Sequence, residues 1–572
     1  MADAVFSAVA KFGQQVHNSL RKKALDFLYG VEINSFDELE SAINTPVVPL
    51  TADQNAHAQW QYQNQNRIQE TPTRFWEYLS APLAIQTLAL GVAIRMCSTT
   101  NMVAKENTAD EGNSDILPNG EAKWTDAREV QQNWIYKMLR ESPPTDSELE
   151  GDMFMSFTGL AWFFSTRMGS YYLTPYLDLS SGSNGFVAKF DQLTKYELKK
   201  ATCKPRTVAV YFVAKRTSDP NKLPCLYVTH LEYNGSKITI ETDANFNAAW
   251  QTAMCLALTD GSLRYHGIYT HLLTGDVFTC ATVRALPIDH ALRPLVQNFT
   301  HNVFNTNNLL RHIVLAEDGT IHSLFPFSWK GLQDYQKDIF ASYRIWKDHY
   351  EAWSPEHAIF RRPKYTFAIQ SVSILADSFS MWDEFTNYVR EYTLSIGWKE
   401  NTDVVSDIAV ADWVHQIALQ QPNDDSRSDI EILWTASPLE CVRRLLTIFI
   451  FHSTVTHDIS ALTKAIIATP FAVPTTLYDG KAFNETIPGK HTSERAMVAS
   501  FSTSLEVPLL NQNWGDIMLS NCSDKMLPAK AVLNSLPDRL KKLEKDIRAK
   551  NKKRVYVSSG LFPTSLKCSI SV

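Results

Sequence analysis

Two separate segments of this chain each carry two histidines five residues apart, His266/His271 and His452/His457, and the 572-residue sequence closes on Ser569-Ile-Ser-Val572. Imidazole suits iron, zinc, copper or nickel, and a carboxylate widens the choice toward iron and manganese. The free carboxylate of an apolar terminal residue such as Val572 can supply that oxygen. Four imidazoles and one hard oxygen together fit a mononuclear non-haem metal.

The elements that must present these side chains are constrained by helix geometry. Residues on an ordinary α-helix advance by about 100°, so a pair five apart falls roughly 140° out of line and cannot hold one ion. A π-bulge, with i→i+5 hydrogen bonds, brings both rings onto one face. The spacing therefore predicts such a bulge within 266–271. Taken alone, the bare spacing favours two unrelated polar positions on a buried helix; the flanking sequence reverses that preference. His452 follows the apolar run Leu445 to Phe451 and reads first as a hydrogen-bonded core histidine, with a ligand role as the alternative.

From about Trp250 to Val572 the chain resembles the lipoxygenase family in several separate blocks. Trp250-Gln-Thr-Ala253, His266-Gly-Ile-Tyr-Thr-His271-Leu-Leu and Ala281-Thr-Val-Arg284-Ala-Leu-Pro287 look like the family's first metal-binding helix and its continuation. Asn307 to Arg311 and Gly319 follow in the family's order. Trp382 to Tyr392, leading through Asp407 to Trp413, is similar to the long aromatic helix before the second metal-binding helix. Leu446-Thr-Ile-Phe-Ile-Phe-His-Ser-Thr-Val-Thr-His457 resembles that second helix, and Ser569-Ile-Ser-Val572 the family's terminus.

The resemblance implies His266, His271, His457 and the carboxylate of Val572 as ligands of iron, with manganese as the alternative. Lipoxygenases usually add an Asn, His or Ser four residues after the third histidine, where this chain has Ala461, which has no donor. Water, His452 through a second irregular turn, or an altered centre would fill the gap, with Asp458 and Ser460 weaker candidates. The chain also passes from Gly275 directly to Asp276, omitting about one helical turn that the family has there. Valine stands in place of the more usual terminal isoleucine, which leaves the carboxylate unchanged. Asp276, Arg284, Asn307 and Arg311 are expected to support the ligands or the scaffold.

The activity implied is that of a dioxygenase. The oxidised metal centre takes a hydrogen atom from the bis-allylic carbon of a polyunsaturated fatty acid, and O2 adds to the pentadienyl radical. The protein's share is redox tuning, ligand orientation and an apolar channel. Two alternatives stay open: the same fold converting a fatty-acid hydroperoxide or oxidising a different substrate, and a metal-free lipid-binding protein.

Composition sets limits of its own. Hydrophobic residues make up 44% and aromatic ones 11%, enough for a large core and an apolar tunnel, and a net charge of -6 argues against a nucleic-acid partner. The eight cysteines form no close-spaced pair that would suggest zinc or a disulfide framework, so a reducing, cytoplasmic setting and a monomer are expected. Met1 to Gly30 is amphipathic without a signal-peptide core. It predicts a helix packed on its own domain, with peripheral membrane contact as the alternative.

The fold expected is mainly α, a lipoxygenase-like helical catalytic domain over 151–572 with a small inserted β-sheet. Residues 1–150 are expected to form a helical part packed on it, the two making one continuous domain. No strand-rich region precedes this to match the N-terminal β-barrel of animal and plant lipoxygenases. The alternating runs Thr207 to Val213 and Cys225 to His230, then Lys237 to Glu241 after an Asn-Gly turn, predict strands and a hairpin. Leu540 to Lys553 predicts a basic surface helix before the final tail.

Overall fold

The structure, a computed structural model, describes residues 156–460 and 510–570 apart from 167, 179–182, 199–206, 301–302, 304–306, 308–314, 316–326, 521 and 557–561. The expected N-terminal helices, Arg311, Gly319, Ala461 and Val572 lie outside the described residues. Within them the architecture is a largely helical body with one small sheet, as the sequence predicts.

Five antiparallel strands run in sequence order: β1 (Thr174–Asp178), β2 (Ser183–Lys189), β3 (Val208–Lys215), β4 (Cys225–Tyr233) and β5 (Ser236–Ile238). The β4–β5 hairpin turns at Asn234 and Gly235, both at positive φ (49° and 81°). That is the turn whose twist matches the strands it joins, which is why an Asn-Gly pair marks it in the sequence. The sheet begins two strands earlier than the alternation suggests. Strand β1 holds Pro175, which cannot donate a ladder hydrogen bond and is tolerated at an edge, and β2 opens on Ser-Asn-Gly, which reads as a turn. Strand β3 is buried on both faces, and helix α1 (Phe157–Thr166) packs across β4.

The helical body is organised around two long rods. The first runs from α2 (Phe246–Asp260) through a π-helical segment, Gly261–Asp276, into α3 (Val277–Ala285). The second runs from α8 (Pro438–Phe451) through a π-helical segment, His452–Thr456, into α9 (His457–Ser460). The two π segments pack on each other. Between them in sequence come α4 (Trp329–Ser342), α5 (Ser373–Ser395), α6 (Ile408–Leu419) and α7 (Asp424–Ala436), followed late in the chain by α10 (Leu527–Asn551).

Helix α5 packs on both α8 and α10, and α6 packs on α3. Large rings including Trp250, Trp382 and Trp413 fill the interior without exposure. Helix α10 starts thirteen residues before the basic stretch that announces it. Pro528 sits in its first turn, where a missing N–H costs nothing, whereas the interior Pro537 reads in the sequence as a boundary. Among the described residues no helix is long and apolar enough to cross a membrane.

Candidate metal centre

The first π segment is wider than the single bulge the spacing predicts, spanning sixteen residues. Its sequence supports the i→i+5 register. The hydroxyls of Thr270 and Thr274 donate to the carbonyls five residues back, Tyr265 O at 2.6 Å and Tyr269 O at 2.9 Å. Gly261 and Gly275 leave room where a Cβ would run into Met168 and Ile570 respectively. The helix passes through Asp276 into α3 without a break, so the turn missing from the sequence is absorbed by the continuous rod.

This geometry puts His266 and His271 on one face, with their Nε2 atoms 3.3 Å apart. His457 comes from the second rod, its ring 4.9 Å from that of His266 and 5.1 Å from that of His271. One nitrogen from each of the three rings lies within 4.8 Å of the others, and all three side chains are buried. Donors each about 2.1 Å from one ion and roughly 90–110° apart stand ~3–3.4 Å from each other, so the 3.3 Å between His266 and His271 already has the spacing of two ligands of one ion.

The protonation pattern also fits. Burial holds the His266 imidazolium well below its ordinary value of 6.5, helped by His271, and burial lowers His271 to about 4 against an opposing hydrogen bond from Asn307. Both rings are neutral at pH 7, as ligands must be. Asn307 fixes the tautomer of His271. Its Nδ2 donates to His271 O and to Asp276 Oδ1, both at 2.7 Å, leaving Oδ1 to accept from His271 Nδ1 at 2.6 Å. The Nε2 lone pair of His271 therefore faces the other two rings. His266 Nδ1 has no hydrogen-bond partner among the described residues.

Asn307 and Asp276 thus form a hydrogen-bonded chain behind His271, while Arg284 ties α3 to Gln416 of α6 at 3.0 Å, a scaffold contact. Loss of such a supporting partner typically costs 10–100-fold in metal affinity. Asn307→Ala is expected to weaken metal binding by about that factor with the fold intact; unchanged affinity in a chelator competition would show that Asn307 only packs.

His452 stands apart from the cluster. Its Nε2 donates to His349 O at 3.0 Å and its Nδ1 accepts from Thr456 Oγ1 at 2.9 Å, so it is the hydrogen-bonded core histidine of the first reading. The Ser460 hydroxyl likewise turns to Thr456 O at 2.6 Å. Beneath His452 lies a buried group that the sequence does not single out. Its ring stacks at 4.1 Å on His349, and His349 Nδ1 meets the Tyr343 hydroxyl at 3.0 Å. Tyr343 and His349 come from a segment without any close-spaced histidine pair, and only packing brings them to the second rod.

Burial lowers His452 to about 4, and it holds His349 well below 6.5 with His452 adding to the effect. Both folded values lie under the unfolded one, so the unfolded chain binds the proton first as pH falls. The stabilisation is complete above about pH 6.5 and is lost toward pH 4, by about 3 kcal/mol for His452 alone. Urea unfolding of the metal-free protein at pH 7 and pH 4 checks this. His452→Gln, which can keep both hydrogen bonds, should show a shallower decline; an equal slope would contradict the assignment.

Close to the cluster lies a cavity of about 460 Å³, a size usual for a small-molecule site. Tyr171, Tyr172, Tyr265, Tyr269, Trp353 and Phe379 line it, together with His452 and Thr456. Tyr265 precedes His266 and Thr456 precedes His457, so the cavity wall and the three-imidazole cluster share both rods. Arg264 on the wall is paired with Asp260 at 3.1 Å, whereas Lys347 is exposed.

The tail after α10 returns to the same place. Leu510 donates to Leu566 O at 2.7 Å, and Cys568, Ser569 and Ile570 are buried, Ile570 against Gly275 of the first π segment.

Comparison of the whole structure identifies its fold. The lipoxygenase designated Delta413-417:GS LOX superposes with a TM-score of 0.63, covering 92% of this chain and 83% of that one at 12% identity. The fold is that of the lipoxygenase catalytic domain. A coral 8R-lipoxygenase gives 0.59 at 14% identity, over 74% of this chain and 67% of that one. A further neighbour, the Delta413-417:GS LOX in complex with arachidonate, gives 0.62 at 13% identity over 92% and 83%. No protein-family model and no curated protein sequence matches the chain. The lipoxygenase likeness is thus one of fold, and the three-imidazole cluster is this chain's own.

Proposed function

We propose that this protein is a non-haem metal dioxygenase of the lipoxygenase type, acting on a polyunsaturated fatty acid. The observation that carries the reading is the buried cluster of His266 and His271 from the first π segment and His457 from the start of α9, within a lipoxygenase fold. These residues would hold iron, or manganese as the alternative, and the carboxylate of Val572 is the fourth donor in this proposal. Burial of Ile570 against Gly275, two residues from Val572, supports it. When bound, such a metal supplies the one-electron chemistry that takes a hydrogen atom from a doubly allylic carbon.

The chain's own residues do the positioning. Asn307 holds His271 in the tautomer that offers Nε2, and the packing of the two rods aligns His457 with the first pair. Aromatic side chains form much of the cavity wall, and the exposed Lys347, next to Asp348 on that wall, would suit the carboxylate of an amphipathic anion whose chain lies among the rings. Fatty-acid binding by a neighbour of the same fold, solved with arachidonate, supports the choice of substrate class. The setting we propose is cytoplasmic, with lipid taken from membrane surfaces; buried thiols at Cys225, Cys255 and Cys441 accord with a reducing compartment.

The test is metal analysis and oxygen uptake on linoleate for the intact chain and for one lacking Val572. Bound iron or manganese with oxygen uptake, both reduced by the deletion, is the expected result. Consumption of a fatty-acid hydroperoxide without oxygen uptake would replace the dioxygenase reading by hydroperoxide conversion. Absence of bound metal would overturn both in favour of lipid binding alone.

A further inference from the structure

Tyr343 and His349 are both fully buried. The phenol is the stronger acid and the imidazole the stronger base, so the Tyr343 hydroxyl donates to His349 Nδ1 across 3.0 Å. The pair is held rigidly. Tyr343 O accepts from Asn423 Nδ2 and Ser426 Oγ, both at 2.9 Å, and His349 O accepts from His452 Nε2. His349 sits in a π-helical segment of its own, Ile345–Glu351. A buried tyrosine can satisfy its hydroxyl in many ways, and a plain core role would need nothing beyond this.

The neighbours of the pair go further than that role requires. The Tyr343 ring lies 5.3 Å from Tyr269, and Tyr269 lies 5.6 Å from Tyr265, the residue preceding His266. Tyr265 in turn stacks on Tyr171 at 4.6 Å, and Tyr171 meets Trp353 at 5.9 Å. Each of these rings can give up an electron, and their contacts form an unbroken path from Tyr343 to Tyr265, which is joined to His266 through the backbone. Only Tyr343, at the end of its branch, has a hydroxyl aimed at a neutral buried imidazole. Burial favours the protonated phenol and the neutral imidazole, so an electron can leave Tyr343 readily only if its proton leaves as well.

We propose that Tyr343 is a redox-active residue of this protein, a one-electron reserve for the metal centre with His349 as its proton acceptor. The inference rests on the proposed metal-binding role of His266, His271 and His457. The oxidant would be an organic hydroperoxide, whose O–O bond breaks to an alkoxyl radical and hydroxide on accepting one electron, and a metal held by His266, His271 and His457 would supply that one-electron exchange. The electron given up would be replaced by one from the Tyr343 phenol, passing through the Tyr269 and Tyr265 rings toward the cluster. The phenolic proton shifts to His349 Nδ1, leaving a neutral phenoxyl radical beside an imidazolium. Return of the electron and proton restores the phenol.

The test is freeze-quench electron paramagnetic resonance of the iron-loaded protein mixed anaerobically with a fatty-acid hydroperoxide, with metal content measured on the same sample. An organic-radical signal is expected that narrows when the protein is grown with ring-deuterated tyrosine. It should fall at least tenfold in Tyr343→Phe, which keeps the ring packing, and decay faster in His349→Gln, which can accept a hydrogen bond but cannot keep the proton. Full metal content with no radical, or with a radical unchanged in Tyr343→Phe, overturns this inference alone. A chain that binds no metal overturns the metal-centre reading and this inference together. The deuterium narrowing in the unaltered protein supplies a readout that does not depend on how either variant folds.

Discussion

His271→Ala should lower bound metal from about one equivalent to under about a tenth, because losing a direct donor costs more affinity than the 10–100-fold typical of a supporting residue. The substitution removes one of three converging imidazoles and also leaves Asn307 Oδ1 without the Nδ1–H it accepts. Neutral nitrogen donors are the only ones the described cluster offers, and two of them hold a divalent ion far less tightly than three. The same result is expected for His266→Ala and His457→Ala, but not for His452→Gln, because His452 is engaged with His349 and Thr456. Atomic absorption on the four dialysed proteins decides it. Equal metal loss in His452→Gln would mean that the ion sits lower in the second rod than the three-ring cluster.

The second large effect concerns stability. Arg554 and Asp377 form a bidentate ion pair, both contacts at 2.7 Å, with side-chain exposures of only 3% and 0%. Arg554→Leu strands a carboxylate in the core of α5, and breaking such a pair on one side costs about 3–5 kcal/mol. Asp377→Leu combined with Arg554→Leu should recover most of that loss, since two apolar side chains of similar volume often replace a buried pair at little cost. Urea unfolding of the single and double variants measures both numbers; a double variant no more stable than the single one would show that shape, not charge, holds this junction. Arg554 lies just beyond α10, where the tail toward Ile570 begins, so hydrogen exchange over 562–570 should quicken in the single variant.

The π geometry at His266 and His271 was legible because a five-residue interval has no other way to serve one ion. The Asn-Gly hairpin was legible for a similar reason, since few residue pairs take positive φ twice in succession, whereas Asn307 was singled out only by the family resemblance. Strand β1 was hidden by Pro175, and the start of α10 by Pro537, because proline signals an interruption whether or not the surrounding packing allows one. The Tyr343–His349 pair was not legible at all. Its partners are set by where the Ile345–Glu351 segment packs on α8, which is a matter of tertiary packing and leaves no periodic mark in the sequence.

The sixteen-residue π segment has a consequence for how this protein can change. A substitution there alters one side chain and leaves the phase of the rod intact. Removing a single residue between His266 and His271 would instead leave them four apart, a spacing that an ordinary α-helix also places on one face, and would turn everything downstream in α3 by about 100°. Length, more than identity, is therefore the guarded property of this stretch: the two rings would survive a deletion as neighbours, while the helix beyond them would meet α6 with the wrong side.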